Sequence, residues 1–301
     1  MFKNLKPWIS AFRLRTLPLS VSGIVVGSCF AYYKGAFDPI VLILTLLLTI
    51  SLQVLSNLAN DYGDGVRGTD NENRVGPLRA IQSGAITPTQ MMGAMKKNVA
   101  VIILLTIALI ITAFGQRYLL FALLFFFLAG TAIYAAINYT MGSSPYGYKG
   151  LGDVFVFLFF GMLSTLGSYF LYTKHIDHYM FLPAVTVGLL SVGVLNLNNM
   201  RDIESDALSN KRTLAVMLGK KKAKIYHLTL IISAMLVAVI FVILYFSSYW
   251  NLLCFLAFIP LILHVFKIYK AISAHDFDSQ LKVLALSTFF FSLFLGVGYL
   301  L

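Results

Sequence analysis

The sequence predicts an all-α integral membrane protein with nine transmembrane helices and ordered cap loops on the cytoplasmic side after helices 2 and 6. Three observations carry that class. The 301 residues are 59% apolar and only 12% charged, a balance that a water-soluble domain of this size could not bury. Nine apolar stretches of spanning length recur along the chain. Most of the twelve acidic residues gather in two short segments, each placed just after one of those stretches.

The stretches fall at 17–33, 39–58, 98–114, 118–139, 151–172, 179–197, 225–246, 249–266 and 283–301. Backbone amides inside hydrocarbon must bond within their own segment, so each is expected as a helix. Met1-Phe-Lys-Asn-Leu-Lys with Arg13 and Arg15 has the charge pattern of a signal peptide, but eight further spans follow, and the first is expected to be a retained helix. Tight turns are expected at 35–38, 115–117, 174–178 and 247–248. The two long gaps, from Asp61 to about Lys97 and from Arg201 to about Lys224, both follow even-numbered spans and so share one side. Ala80 to Met95 mixes apolar residues with Gly84 and Thr87-Pro88 and is expected to form short interfacial helices over a cavity. Residues 1–301 are read as a single domain. The two cysteines, Cys29 and Cys254, lie within spans, so neither a disulfide framework nor a thiolate metal site is expected.

Charge sets the orientation. All but three of the 23 Lys and Arg lie at the N-terminus or in loops after even-numbered spans; the exceptions are Lys34, Arg117 and Lys174. The positive-inside bias then places the N-terminus and both acidic clusters in the cytoplasm and the C-terminus outside, in an inner-membrane protein. A net charge of +11 spread over interhelical loops points to lipid headgroups or a phosphorylated substrate rather than to nucleic acid. Nothing in the sequence points to a protein partner.

The acidic clusters carry the chemistry. In the first, Asn57, Asn60, Asp61 and Asp64 continue a span, and a spacing of three is expected to put both carboxylates on one helix face. In the second, Asn198-Asn199-Met200-Arg201-Asp202-Ile203-Glu204-Ser205-Asp206, the carboxylates of Asp202 and Asp206 are four apart with Asn199 one turn earlier. A lone aspartate at a helix end is ordinarily a cap or a solvated charge. Two such clusters on one side, each preceded by Asn and accompanied by Arg, point instead to a shared site. Carboxylates this close need cations among them. Magnesium takes oxygen ligands, typically one or two carboxylates with phosphates and water, so facing pairs are expected to clamp a lipid diphosphate. Arg67, Arg74 and Arg79 near the first cluster, and Arg201, Lys211 and Arg212 around the second, are candidates for the remaining phosphate oxygens. Gly63, Gly65 and Gly68 allow close backbone approach. Tyr148 and Lys149, in the segment Pro145 to Asp153, are read as an ordered loop over the site or as a plain turn. His227 and His264 are expected as interfacial anchors, Gln53 and Ser56 either as cavity residues or as interhelical bonds, and Phe155, Phe157, Phe159 and Phe160 as lipid-facing packing or a tunnel wall.

These residues resemble the UbiA superfamily of intramembrane prenyltransferases. Asn60-Asp61-x-x-Asp64 is similar to the motif that follows the second helix in that family, and Asp202-x-x-x-Asp206 to the one after the sixth. The family's third aspartate would fall at Gly68, and the nearest acid is Asp70. The run from Gly68 to Arg79, the segment Leu195 to Asp206 with Lys211-Arg212-Thr213-Leu214-Ala215, and the loop through Gly152-Asp153 resemble the MenA branch. The resemblance covers nearly the whole chain and implies nine helices around a central cavity. It also implies a magnesium requirement, with Asp61, Asp64, Asp202 and Asp206 as catalytic metal or diphosphate ligands and Asp70 as a further candidate. It implies transfer from a polyprenyl diphosphate to 1,4-dihydroxy-2-naphthoate, with loss of carbon dioxide and diphosphate, giving demethylmenaquinone. No Ser–His or Cys–His pair is needed for such a reaction. The competing readings are a same-fold enzyme with another aromatic or tetrapyrrole acceptor, and a secondary transporter, whose ion sites would lie nearer the midplane.

Overall fold

Helix boundaries follow local chemistry throughout the chain. The computed structural model describes residues 5–70 and 75–301, and among these it contains nine helical segments long and apolar enough to cross a membrane. They are α1 (Lys6–Tyr33), α2 (Pro39–Arg67), α3 (Pro88–Phe114), α4 (Leu119–Asn138), α5 (Gly152–Thr173), α6 (His178–Arg201), α7 (Leu214–Leu244), α8 (Tyr249–Lys270) and α9 (Ala274–Leu300). The start of α2 is fixed by Asp38, whose carboxylate accepts from the amides of Ile40 at 2.7 Å and Val41 at 3.3 Å. Gly68, with φ of 72°, ends it. Reciprocal capping by Thr87 with Gln90 starts α3, and Ser273 with Asp276 starts α9. In α1 the chain breaks at Arg13 (φ 50°), so Lys6–Phe12 forms a separate helical turn pair ahead of Leu17–Tyr33.

The helices enclose a central cavity. α1 packs on α2, α5 and α9, and α6 packs on α5, α7 and α9, while α2, α3 and α4 contact one another and form the other wall. α5 and α6 cross closely at a glycine pair. A Cβ placed on Gly161 would lie 2.4 Å from the Cα of Gly188, so neither position tolerates a side chain there. Around that crossing, Phe157–Gly167 is wound as a π-helix, a form found mostly at functional positions.

Two expectations about the loops are corrected. Pro88 to Met95 forms the first turns of α3 rather than interfacial helices, because the Thr87 cap and Pro88 launch the spanning helix about ten residues before its apolar core begins. His227 and His264 are not interfacial anchors. Both are fully buried, their Nε2 atoms lie 2.8 Å apart, and His264 Nδ1 lies 3.3 Å from Gln280 Oε1, so they join α7, α8 and α9 through a buried polar contact. The second long gap does contain a short helix, Ile203–Leu208, and α7 is broken at Gly219, where φ is 74°.

Candidate active site

A cavity of about 430 Å³ runs between the helices. One end is apolar, lined by Leu48, Leu109, Phe125 and Leu171; the other is strongly charged. On α2 the polar lining residues are Thr45, Thr49, Gln53, Ser56, Asn57, Asn60 and Asp64, a helical stripe ending in a carboxylate. Asn57 is held by donating to Phe12 O (2.9 Å) and Thr16 Oγ1 (3.3 Å), while accepting from Gln53 Nε2 (3.2 Å). Phe155, Phe159 and Phe160 of the π-helical region and its approach form the aromatic wall, whereas Phe157 turns onto Gly188.

The two acidic clusters meet across this cavity. Lys211 supplies the link: its ammonium lies 3.3 Å from Asp64 Oδ2 and 3.6 Å from Asp206 Oδ1, with side-chain exposures of only 5%, 6% and 11% for the two acids and the lysine. Burial opposes the charge on Lys211, but the two carboxylates outweigh it and hold its pKa above the ordinary value. Burial pushes the Asp206 carboxyl up to about 6, opposed by Lys211 and reinforced by Asp202 and Asp64. Asp64 also accepts from Tyr148 Oη at 2.8 Å, and that hydroxyl lies 2.6 Å from Thr69 Oγ1. The loop of Tyr146–Lys149 is therefore ordered over the site. Burial raises the pKa of Tyr148, so the phenol stays protonated and donates.

Asp202 has a different environment. Arg201, itself buried, clasps it through Nε (2.8 Å) and Nη2 (2.6 Å), and at the same time donates to Asp278 Oδ1 (2.7 Å) and Asn198 Oδ1 (2.8 Å). Asp278 and Lys282, one turn apart on α9, both line the cavity. Arg79 lies 3.8 Å from Asp70, and both line the cavity. The displaced aspartate at position 70 thus reaches the site despite its shift along the sequence.

Among the residues expected at the site, the structure brings together Asn60, Asp64, Asp70, Arg79, Asn199, Asp202, Asp206 and Lys211 on the cavity wall, with Tyr148 bound to Asp64. Asp61 is corrected. Its carboxylate accepts from the backbone amides of Ala80 (3.1 Å) and Ile81 (3.2 Å), it is buried, and it is absent from the cavity lining. At 100° per residue a spacing of three leaves Asp61 about 60° from Asp64, enough to turn it onto the following loop. Arg67 donates to Gly142 O and lies 5.3 Å over the Tyr148 ring, so it props the loop rather than facing the cavity. Lys149 and Arg212 are exposed and outside the lining. Arg74 lies outside the described residues.

Sequence reasoning missed Asp278, Lys282, Arg13 and Arg15, all of which line the cavity. Asp278 carried one weak signal: with Asp276, it is one of only two acids after Asp206.

The donor set fits magnesium. Carboxylates of Asp64, Asp70, Asp202 and Asp206 and the amides of Asn60 and Asn199 share the charged end of the cavity, all hard oxygen donors with no cysteine or histidine among them. The Lys211 ammonium between Asp64 and Asp206 marks a position where positive charge is favoured. Among the described residues no three acidic, histidine or cysteine side chains converge tightly enough to cage a metal alone, which matches an ion completed by phosphate and water.

This architecture, an all-helical membrane fold with acids at one end of an apolar cavity, is that of an intramembrane lipid-diphosphate enzyme. The chain belongs to the UbiA prenyltransferase family, whose pattern matches residues 20–295. It is similar to the 1,4-dihydroxy-2-naphthoate octaprenyltransferases of Escherichia coli (44% identity over 83% of this chain and 80% of that protein) and of Haemophilus influenzae (41% over 99% and 97%). Its fold is similar to that of a UbiA homolog from Archaeoglobus fulgidus bound to GPP and Mg2+, with a TM-score of 0.69 over 95% of this chain and 98% of that one, at 12% identity.

Proposed function

We propose that the chain transfers a polyprenyl group from polyprenyl diphosphate to 1,4-dihydroxy-2-naphthoate, with loss of carbon dioxide and diphosphate, giving the quinol form of demethylmenaquinone. The reading rests on one observation above the others: Asp64, on α2, and Asp206, in the short helix after α6, share one cation at the mouth of an apolar, aromatic-walled cavity. The naphthoate relatives, similar over 83% and 99% of the chain, support the choice of acceptor.

Magnesium, when bound, supplies Lewis-acid stabilisation of the leaving diphosphate. The chain's own residues do the rest. Asp64, Asp202, Asp206 and Asp70 offer the oxygens that would hold it, and Asn60 and Asn199 extend that polar rim. Lys211 and Arg79, both on the cavity wall, would meet the negative charge that builds on the phosphate oxygens as the allylic C–O bond stretches. Phe155, Phe159 and Phe160 give a dry, electron-rich wall for the positive charge left on the allyl group and keep water from quenching it. The electron-rich ring of the naphthoate attacks the allylic carbon, so no protein nucleophile is required.

The site lies at the cytoplasmic face in this reading, with the N-terminus inside and the C-terminus outside the inner membrane, and the whole chain acts as one domain. A reporter fused after Leu301 then reads as extracytoplasmic. The deciding experiment incubates the purified protein with magnesium, a long prenyl diphosphate and either 1,4-dihydroxy-2-naphthoate or 4-hydroxybenzoate, with products read by mass. Prenylated, decarboxylated naphthoate is expected. Prenylated 4-hydroxybenzoate alone, or sodium- or proton-driven uptake into liposomes without any prenyl donor, overturns the proposal.

A further inference from the structure

We infer that Lys211 is a resident counter-cation: its ammonium holds the Asp64 and Asp206 carboxylates together before substrate arrives and moves onto the diphosphate as the divalent cation enters, so that cation and diphosphate bind cooperatively. The inference rests on the assignment of the acidic end of the cavity as the diphosphate site.

Three features of the geometry carry it. First, the ammonium sits between carboxylates of two separate elements, 3.3 Å from Asp64 and 3.6 Å from Asp206, at the point where the clusters approach. Two nearly buried acids so placed repel unless one positive charge lies between them. A divalent cation cannot take those same oxygens while the ammonium stays, because like charges at that range repel strongly in a poorly solvated pocket.

Second, Lys211 is anchored by its backbone at the base, while its tip is held by the two carboxylates. Its backbone amide donates to Asp206 O at 2.8 Å, just after Asn210 turns the chain with φ of 55°. The four-carbon stem can then swing while the loop stays fixed. Arg201, the cation at Asp202, differs: its planar guanidinium is pinned by Asp202, Asp278 and Asn198 together. One of the two cations is built to move and the other to stay.

Third, Asp64 keeps a partner when the lysine leaves. Tyr148 donates to its Oδ1 at 2.8 Å, on the oxygen opposite the one that Lys211 takes. The Tyr148 ring also lies 5.5 Å from the lysine Nζ, so its face adds a second favourable contact for the ammonium. Displacement is unfavourable with the cation alone, since the other acids of the cavity, Asp70, Asp202 and Asp278, already carry Arg79 and Arg201. A diphosphate supplies a new anion, and by linkage each ligand tightens the other.

The test is a magnesium titration of the full chain in detergent, followed by calorimetry, with and without inorganic pyrophosphate. Lys211→Met should bind magnesium alone on the order of tenfold more tightly than the unaltered protein, because the resident charge is gone. The coupling between magnesium and pyrophosphate should shrink by a similar factor, and the metal-free protein should unfold at a lower temperature. Lys211→Gln, a second neutral variant, should show the same gain; Lys211→Arg should not. Adding Asp64→Asn should abolish the gain. Magnesium affinity that is unchanged or weaker in both neutral variants overturns the resident-cation inference and leaves the diphosphate site standing. Magnesium binding that is insensitive to Asp64→Asn in every background overturns both.

Discussion

The two acidic clusters look alike in sequence and behave differently in the fold. The first lies on an unbroken helix, α2, which continues through Asp61 and Asp64 to Arg67. Because that helix does not bend, its acids diverge: Asp64 enters the cavity and Asp61 turns away to cap the amides of Ala80 and Ile81. The second cluster lies where α6 stops, with Asp202 at the junction and Asp206 in the short helix that follows. The break there aims both acids inward. The lesson is that carboxylate spacing sets a face only once the path of the helix is known.

That contrast predicts a ranking. Asp64→Ala and Asp206→Ala should each lower kcat/KM for prenyl transfer by about 10³-fold, the loss expected when transition-state charge loses its stabilising partner. An effect below tenfold in either would break the comparison. Next comes Asp278→Asn, which removes one of the three groups fixing Arg201 against Asp202. Transfer should fall by about tenfold, with a raised magnesium requirement, because the clasp on Asp202 loosens.

Asp61→Asn sharpens the comparison from the other side. It should cost about 1–3 kcal/mol of stability, the usual consequence of spoiling buried hydrogen bonds, and lower the thermal midpoint. Magnesium affinity should stay within about threefold of the unaltered protein, since the side chain does not line the cavity. A complete loss of magnesium binding in a folded Asp61→Asn protein would restore it as a ligand. The smallest effects belong to Lys149→Ala and Arg212→Ala, both exposed, at less than about threefold in transfer.

Acid should act on the second cluster. The Asp206 carboxyl is raised to about 6 from an ordinary 3.8. A raised folded-state pKa contributes stability that is fully present below the unfolded value and lost as pH rises through the folded one. The metal-free protein should therefore gain stability between pH 7 and pH 5, while magnesium-dependent stabilisation shrinks over the same window as Asp206 takes up its proton. Thermal unfolding with magnesium or chelator across that range checks both signs, and Asp206→Asn should flatten them.

Much of the fold was legible because hydropathy and basic loops are properties of local sequence. The nine spans, the tight turns and the shared side of both clusters follow from run length and parity alone. The helix starts at Pro88 and Lys6 were less visible, since polar turns extend beyond the apolar cores and only the caps reveal them. At the site, Asn60, Asp64, Asn199, Asp202, Asp206 and Lys211 could be read from composition near helix ends. Asp278 could not be, because α9 enters the site through tertiary packing from the far end of the chain. The buried His227–His264 pair was hidden for the same reason: its partners come from three helices, and one residue's distance from a span end says little about which way its ring faces.

The central claim is that Asp64 and Asp206 serve one site, and a double-mutant cycle measures it most directly. Prenyl transfer is compared for the unaltered protein, Asp64→Asn, Asp206→Asn and the double variant at saturating magnesium. The account predicts strong non-additivity, with the double variant little worse than either single one. Losses that multiply as independent factors would contradict it.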